Sequence, residues 1–402
     1  MTKSQSGFSL LLFVAFLAFI SIGLPDAVLG VAWPSIQNTF DRPRADLGFI
    51  LFASGAGYFS SGILAGKAID RLGVGRLLAV STAAVSAGLL GYALSPAFWF
   101  LMVVAALIGF GSGAVDAGLN FYASEHFSVT VMNWLHAFFG IGAMIGPFIM
   151  AGVLAAGESW RLGYVIVAIA SFLMAVTFVV TERRWTDGQH HSETARPDSA
   201  AVSHVLRQPL VWLQLVLFFF MTGIEAGAGA WSYTMLFEKF DLDAGEAGLW
   251  AGFYWGAIAL GRLVLSPLSR SLKPARLIQF GTFGLFAGAL MMTRDQAWLF
   301  QSGLLVFGFA MAPLFPTLMS LTPSRLGSHV SLHAIGFQVS AAVLGGATIP
   351  TLAGILAGRT TLTAIPWTLA VGAVIVIALE TVLRGRDVHD ESAPETKLPG
   401  VA

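Results

Sequence analysis

Long apolar runs alternate with short clusters of charge, glycine and proline from the N-terminus to about residue 181. The rhythm stops, then resumes near residue 210 and continues to about 383. A run of about 20 apolar residues crosses a bilayer as a helix. Twelve such runs are predicted, near 8–36, 45–66, 76–95, 98–123, 131–156, 162–181, 210–236, 246–269, 276–293, 297–320, 330–357 and 363–383. The first, MTKSQSGFSLLLFVAFLAFISIG, imitates a secretory signal, but no small-residue cleavage site follows. Its apolar pattern runs on to Trp33 and Pro34, so it reads as a retained spanning helix. Between the two sets of six lies TERRWTDGQHHSETARPDSAAVSHVLRQP, a polar stretch without an apolar run. It reads as a linker on the cytoplasmic side, partly an interfacial helix. The expected organisation is a six-helix bundle over 1–182, a cytoplasmic linker over 183–209, a second bundle over 210–386 and a disordered tail over 387–402.

Composition agrees with a lipid-solvated chain. Charged residues make up 11% and hydrophobic ones 56%, whereas a soluble domain carries roughly 25% charge. The formal net charge is zero, so nothing suggests a nucleic-acid partner. Cysteine is absent, which excludes disulfides, thiolate metal sites and cysteine nucleophiles. His190, His191 and Glu193 sit together in the linker, but adjacent histidines in a solvated loop do not define a metal site. No phosphate-binding GxxxxGK[ST] loop is present, and no enzyme motif or cofactor is expected. With both termini in the cytoplasm, 16 of the 22 Lys and Arg fall on the inner side. That asymmetry obeys the positive-inside rule and suits an inner-membrane protein with an even number of spans.

The chain also repeats itself. IGLPDAVLGVAWPSIQNTF (22–40) lies over TGIEAGAGAWSYTMLFEKF (222–240) at an offset of 200, pairing Gly23 with Gly223 and Phe40 with Phe240. Two homologous six-helix halves are the build of a large class of secondary transporters, with the solute site between them near the bilayer midplane. The fold expected is therefore an all-α integral membrane protein of twelve transmembrane helices in two pseudo-symmetric bundles, read as a monomer.

Ionisable groups at membrane depth cost at least about 2.5 kcal/mol on insertion scales, so they normally face a cavity or a partner. Asp26, Asp116, His136 and Glu225 are the strongest candidates for proton coupling. At about 1.5 Å per residue, Asp116 lies roughly 13 Å and His136 roughly 9 Å above the inner ends of their helices. Asp116 and Asn120 share a face at i, i+4, and Asn133 and His136 share one at i, i+3. One polar cluster of all four is expected, with His136 beside the Asp116 carboxylate, since an imidazole titrates near pH 6.5 and is easily moved. The bland alternative is that these groups only lock helices together. In the second half, Tyr233, Gln338 and His333 are candidate solute contacts, with Gln214 a further polar position. Tyr254 and Trp255 offer rings for a sugar face. Arg262, beside Gly261 near the inner end of the eighth span, reads as a structural residue facing lipid or a loop. Trp33, Trp134, Trp231 and Trp250 read as belt or packing residues.

GKAIDRLGVGR (Gly66–Arg76) resembles the loop signature of the major facilitator superfamily. The resemblance makes Gly66, Asp70, Arg71 and Arg76 a conformational gate. Gly66 would allow close helix approach, Asp70 would pair with neighbouring helix ends, and the arginines would hold the loop at the anionic leaflet. Further stretches resemble the fucose permease type of sugar–proton symporter. They are Asp116-Ala-Gly-Leu-Asn120, MNWLHAFFGIGA with Asn133 and His136, FPTLMSLTPSRLG (Phe315–Gly327), and Asp26 ahead of Pro34 and SIQNTF. That resemblance implies a secondary transporter moving a small polar solute, a sugar or related metabolite, with protons. Asn120, Asn133 and Gln338 would then hydrogen-bond the solute. The competing expectations are a proton-coupled exporter of amphipathic compounds, suited by the 32 Phe, and a membrane sensor on a transporter scaffold.

Overall fold

The computed structural model describes residues 3–185, 202–268 and 272–391, and all regular structure among them is helical. The first half comprises α1 (Lys3–Asp26), α2 (Val28–Phe40), α3 (Leu47–Leu94), α4 (Phe98–His126), α5 (Val129–Ala155) and α6 (Trp160–Thr181). A short α7 (Val202–Leu206) precedes the second half. That half contains α8 (Pro209–Thr234), α9 (Ala244–Leu268), α10 (Pro274–Met292), α11 (Ala297–Met311), α12 (Leu314–Ser320), α13 (Thr322–Leu326), α14 (Ser328–Arg359) and α15 (Ala364–Glu391). Eleven helical stretches among the described residues are long and apolar enough to cross a membrane. One of them, Arg44–Leu94, has 51 residues, about twice what a bilayer needs. It breaks at Gly73, whose φ of 74° is left-handed and favours glycine. That turn makes two spans of α3 and brings the crossings to twelve.

The twelve predicted runs all fall on helices. Their ends agree with the helix ends to within several residues, and two differences stand out. The first span is two helices, α1 and α2, and α15 continues past the expected end of the second bundle into the tail, to Glu391. Most of the linker, with His190, His191 and Glu193, and the tail from 392 onward lie outside the described residues.

Lipid explains the outer surface. Large apolar side chains such as Val180, Phe283 and Ile63 are exposed along the bundle. Trp99, Trp298 and Trp367 are exposed near the starts of α4, α11 and α15, and Trp134 and Trp212 near the starts of α5 and α8. These are belts at the two ends of the bundle, while Trp33 and Trp231 are fully buried packing residues. Membrane-depth hydroxyls satisfy themselves on the preceding turn, as Thr177 Oγ1 does on the Leu173 carbonyl at 2.9 Å.

The repeat is visible in the backbone. Asp41 and Asp241, 200 residues apart, are the two non-glycine residues of positive φ, at 48° and 55° among the described residues. Each sits just past the helix that closes its half's first span, where the left-handed conformation ends a helix. Gly30 and its repeat mate Ala230 meet directly: a Cβ on Gly30 would lie 2.9 Å from the Gly229 carbonyl and 3.0 Å from that of Ala230. Repeat mates touch only where the pseudo-two-fold axis passes, so α2 and α8 meet on that axis.

Candidate functional site

The first span breaks where the chemistry sits. Pro25 has no N–H to give to the carbonyl one turn back, α1 ends at Asp26, and α2 resumes at Val28. Asp26 is about 24 Å along the helix from Leu10, deep inside the bundle. Leu24, Ala27 and Val28 around it are buried, yet the Asp26 side chain is exposed. It therefore opens into an internal space that water reaches. A broken helix with an ionisable group at the break is a common way to build a transporter site.

Asp116 on α4 faces the same region. Its two oxygens accept hydrogen bonds from Tyr58 on α3 (2.7 Å) and from Asn120 (2.9 Å). The expected i, i+4 pair is thus a real bond. Asp26 lies within electrostatic reach of both Asp116 and Tyr58. Three helices of the first half therefore converge on two carboxylates, a phenol and an amide. Tyr58 escaped the sequence reading, although it is the one tyrosine of the second span, set among glycine and serine.

His136 is elsewhere. Its ring meets Phe19 edge-on at 5.3 Å, and its backbone carbonyl accepts from Arg262 Nη1 at 3.3 Å. No hydrogen bond or ion pair joins it to Asp116 among the described residues. The expected pair fails because consecutive helices need not be neighbours: α4 packs along α3, whereas α5 packs along α1 and α9. Asn133 lies on α5, but its side chain is outside the described residues.

The second half is arranged differently. Gln338 is buried with Gln214 and Thr322 in a closed network: its Nε2 donates to Gln214 Oε1 (2.5 Å), and Thr322 Oγ1 donates to its Oε1 (3.1 Å). It presents nothing to a cavity. Tyr254 is buried too, and its hydroxyl donates to the Glu225 carbonyl at 2.8 Å. Tyr233 is buried and stacks on Phe237 at 5.5 Å, near the end of its span. Trp255 is half-buried beside Tyr254 and covers Gly229. His333 is half-buried on α14. Glu225, on α8, is half-buried, as is Arg262. The lipid- or loop-facing place expected for Arg262 is wrong, because its guanidinium reaches across the seam between α9 and α5.

The halves are joined firmly at the end opposite Gly66–Arg76. There Arg44 pairs with Glu238 across the halves at 2.5 Å, and Gly48 of the first half packs directly on Thr351 of the second, where a Cβ would collide. At the Gly66–Arg76 end, Asp70 and Arg71 are exposed and make no ion pair across the halves among the described residues. Nothing lies within 4 Å of a Cβ built on Gly66, so it makes no close helix contact. Arg76 pairs within its own half, its Nε 2.6 Å from Glu182 Oε1. The expected gate contacts are thus not made in this arrangement, in which the two halves lock at the other end.

Known proteins place this architecture. The chain is 21% identical over 389 residues to a glucose/mannose transporter of Bacillus subtilis, covering 94% of this chain and 96% of that one. It is 22% identical over 386 residues to the human sodium-dependent glucose transporter 1, covering 85% and 72%. Among solved structures, a mutant form of the nucleoside transporter NupG superposes with a TM-score of 0.76 at 11% identity, over 92% of this chain and 98% of that one. The transporter FucP in its outward conformation gives 0.64 at 16% identity, over 94% and 99%. These likenesses show a multi-pass membrane fold. The model of the Major Facilitator Superfamily matches residues 11–337, and the chain belongs to that superfamily, as a membrane transporter and not an enzyme.

Proposed function

We propose that the protein moves a small polar solute, a sugar or related metabolite, by alternating access and couples it to protons. The observation that carries this reading is the open Asp26 side chain at the helix break, facing an Asp116 already held by Tyr58 and Asn120. Two carboxylates at membrane depth beside a water-reached space offer a place to load and release a proton. The donors around them suit hydroxyl groups. Relatives named as glucose transporters support a sugar, and one named as sodium-dependent makes the coupling ion the question to test. Asp26 and Asp116 are assigned the proton, with Asn120 contacting solute and His136 and Glu225 assisting from either side of the seam. The basic end carrying Lys67, Arg71 and Arg76 is assigned to the cytoplasm of an inner membrane, which leaves the internal space facing the cell interior in this arrangement.

The experiment is transport into proteoliposomes loaded with a pH-sensitive dye, with glucose, mannose and galactose supplied in turn, with and without sodium. Sugar-driven proton movement that disappears in Asp116→Asn and Asp26→Asn is expected. Sugar uptake that needs sodium and moves no protons would replace the coupling ion. Uptake indifferent to both substitutions would remove the carboxylates from the mechanism.

A further inference from the structure

The second half contains two opposite charges that have not closed on each other. Glu225 on α8 and Arg262 on α9 lie within electrostatic reach. Tyr254, two helical turns before Arg262, ties α9 to α8 through the Glu225 carbonyl. No salt bridge joins the two side chains among the described residues, so more than 4.0 Å separates their charged atoms. The guanidinium has five N–H donors, of which one is used, on the His136 carbonyl at 3.3 Å. Its remaining nitrogens and the Glu225 carboxylate have no hydrogen-bond partner among the described residues, yet none is a sealed, unsatisfied atom. Both groups are therefore half-buried and unsealed at the packed faces of α8 and α9.

Sealing such groups without partners would be costly, and pairing them directly would be the ordinary outcome. A gap that keeps them apart suits an occupant with acceptors on one side and donors on the other. A ring bearing several hydroxyls has both. A carboxylate-bearing solute fits less well, because it would set a second anion beside Glu225 against one guanidinium.

We propose that Glu225 and Arg262 form the second half's solute-binding site, holding a neutral polyhydroxyl ring between them, with Glu225 accepting from its hydroxyls and Arg262 donating to its oxygens. This rests on the sugar reading above and assigns its second-half contacts to these residues instead of to the buried Gln338. Arg262 also touches the first half through His136, so a solute that draws the guanidinium away weakens the α5–α9 seam. Binding and the movement of the halves thereby act on one side chain.

The test is sugar binding to the purified full chain in nanodiscs, by calorimetry, with glucose, mannose, galactose and glucuronate as probes. Losing a hydrogen bond to a charged group corresponds to a fall of about tenfold to a hundredfold in affinity. That loss is expected for neutral sugars in Arg262→Gln and in Glu225→Gln. The double variant should lose little more than the worse single one, since both act through one ligand. Arg262→Lys, which keeps the charge but not the fork, should restore sugar-free thermal stability without restoring affinity. Neutral sugars that bind wild type and both variants equally would overturn this site while leaving the sugar reading intact. Glucuronate binding more tightly than the neutral sugars, and failing in Arg262→Gln, would overturn the neutral class. If none of the probes binds wild type, the sugar reading falls and this site with it.

Discussion

The two halves share a backbone plan and put different chemistry on it. In the first half, α1, α3 and α4 bring two carboxylates, Asp26 and Asp116, to a phenol and an amide, and leave Asp26 open. In the second, α8, α13 and α14 bring together Gln214, Thr322 and Gln338, which are neutral and sealed. The repeat mate of Asp26 is Ala226, and that of Gln214 is Val14. The repeat therefore preserved helix ends and crossing points, such as Asp41 with Asp241 and Gly30 against Ala230. It did not preserve side-chain function. The first half holds a pair of carboxylates in reach of water, whereas the second seals its amides into an internal strut and leaves Glu225 and Arg262 unsealed beside it.

The sharpest break of this contrast is Asp26→Asn or Asp116→Asn. Each is expected to reduce sugar-driven proton movement to background in proteoliposomes, while the protein still reconstitutes. Next in size is Tyr58→Phe, which removes a bond to a carboxylate. It should cost about 1.5–3 kcal/mol, read as a tenfold to hundredfold weakening of solute-driven proton flux at low solute. Gln338→Leu should act on the strut. It removes the Gln338 bonds to Gln214 and Thr322, leaving those two only their longer bond to each other and Thr322 the Leu318 carbonyl, and costs about 1–3 kcal/mol of stability, seen as a lower unfolding temperature with solute affinity unchanged. A larger effect on affinity than on stability would put Gln338 in the solute site and end the contrast. The smallest effect belongs to Arg44→Ala. The Arg44–Glu238 bridge is partly exposed, and such pairs contribute about 0.2–1 kcal/mol. Its loss should tilt the equilibrium toward opening at that end by no more than about fivefold, measurable as faster labelling of a cysteine introduced nearby.

Much of the fold could be read from the chain. Each of the twelve apolar runs is a helix because lipid leaves the backbone no other partner than itself. The 200-residue repeat announced the pseudo-symmetry. Within the site, Asp116 with Asn120 was legible because i, i+4 spacing on one helix is local geometry. The pairing of Asp116 with His136 was not, because depth and chain order say nothing about which helices are neighbours. Tyr58 was hidden for the same reason: its partner is 58 residues away. Gln338 and Tyr254 looked like solute contacts by residue type, and packing turned both inward.

By itself, then, the sequence determined that this is a twelve-span membrane protein of two repeated halves with a few ionisable groups at membrane depth. Periodicity, hydropathy and the cost of a buried charge are properties of one helix at a time. The tertiary structure decided which of those groups meet, which are sealed and which open to water. It placed Tyr58 and Asn120 on Asp116, drew Arg262 from a supposed lipid face to the seam beside His136, and locked the halves at the Arg44–Glu238 end. Those outcomes depend on how helices distant in sequence pack against one another, and no single helix carries that information.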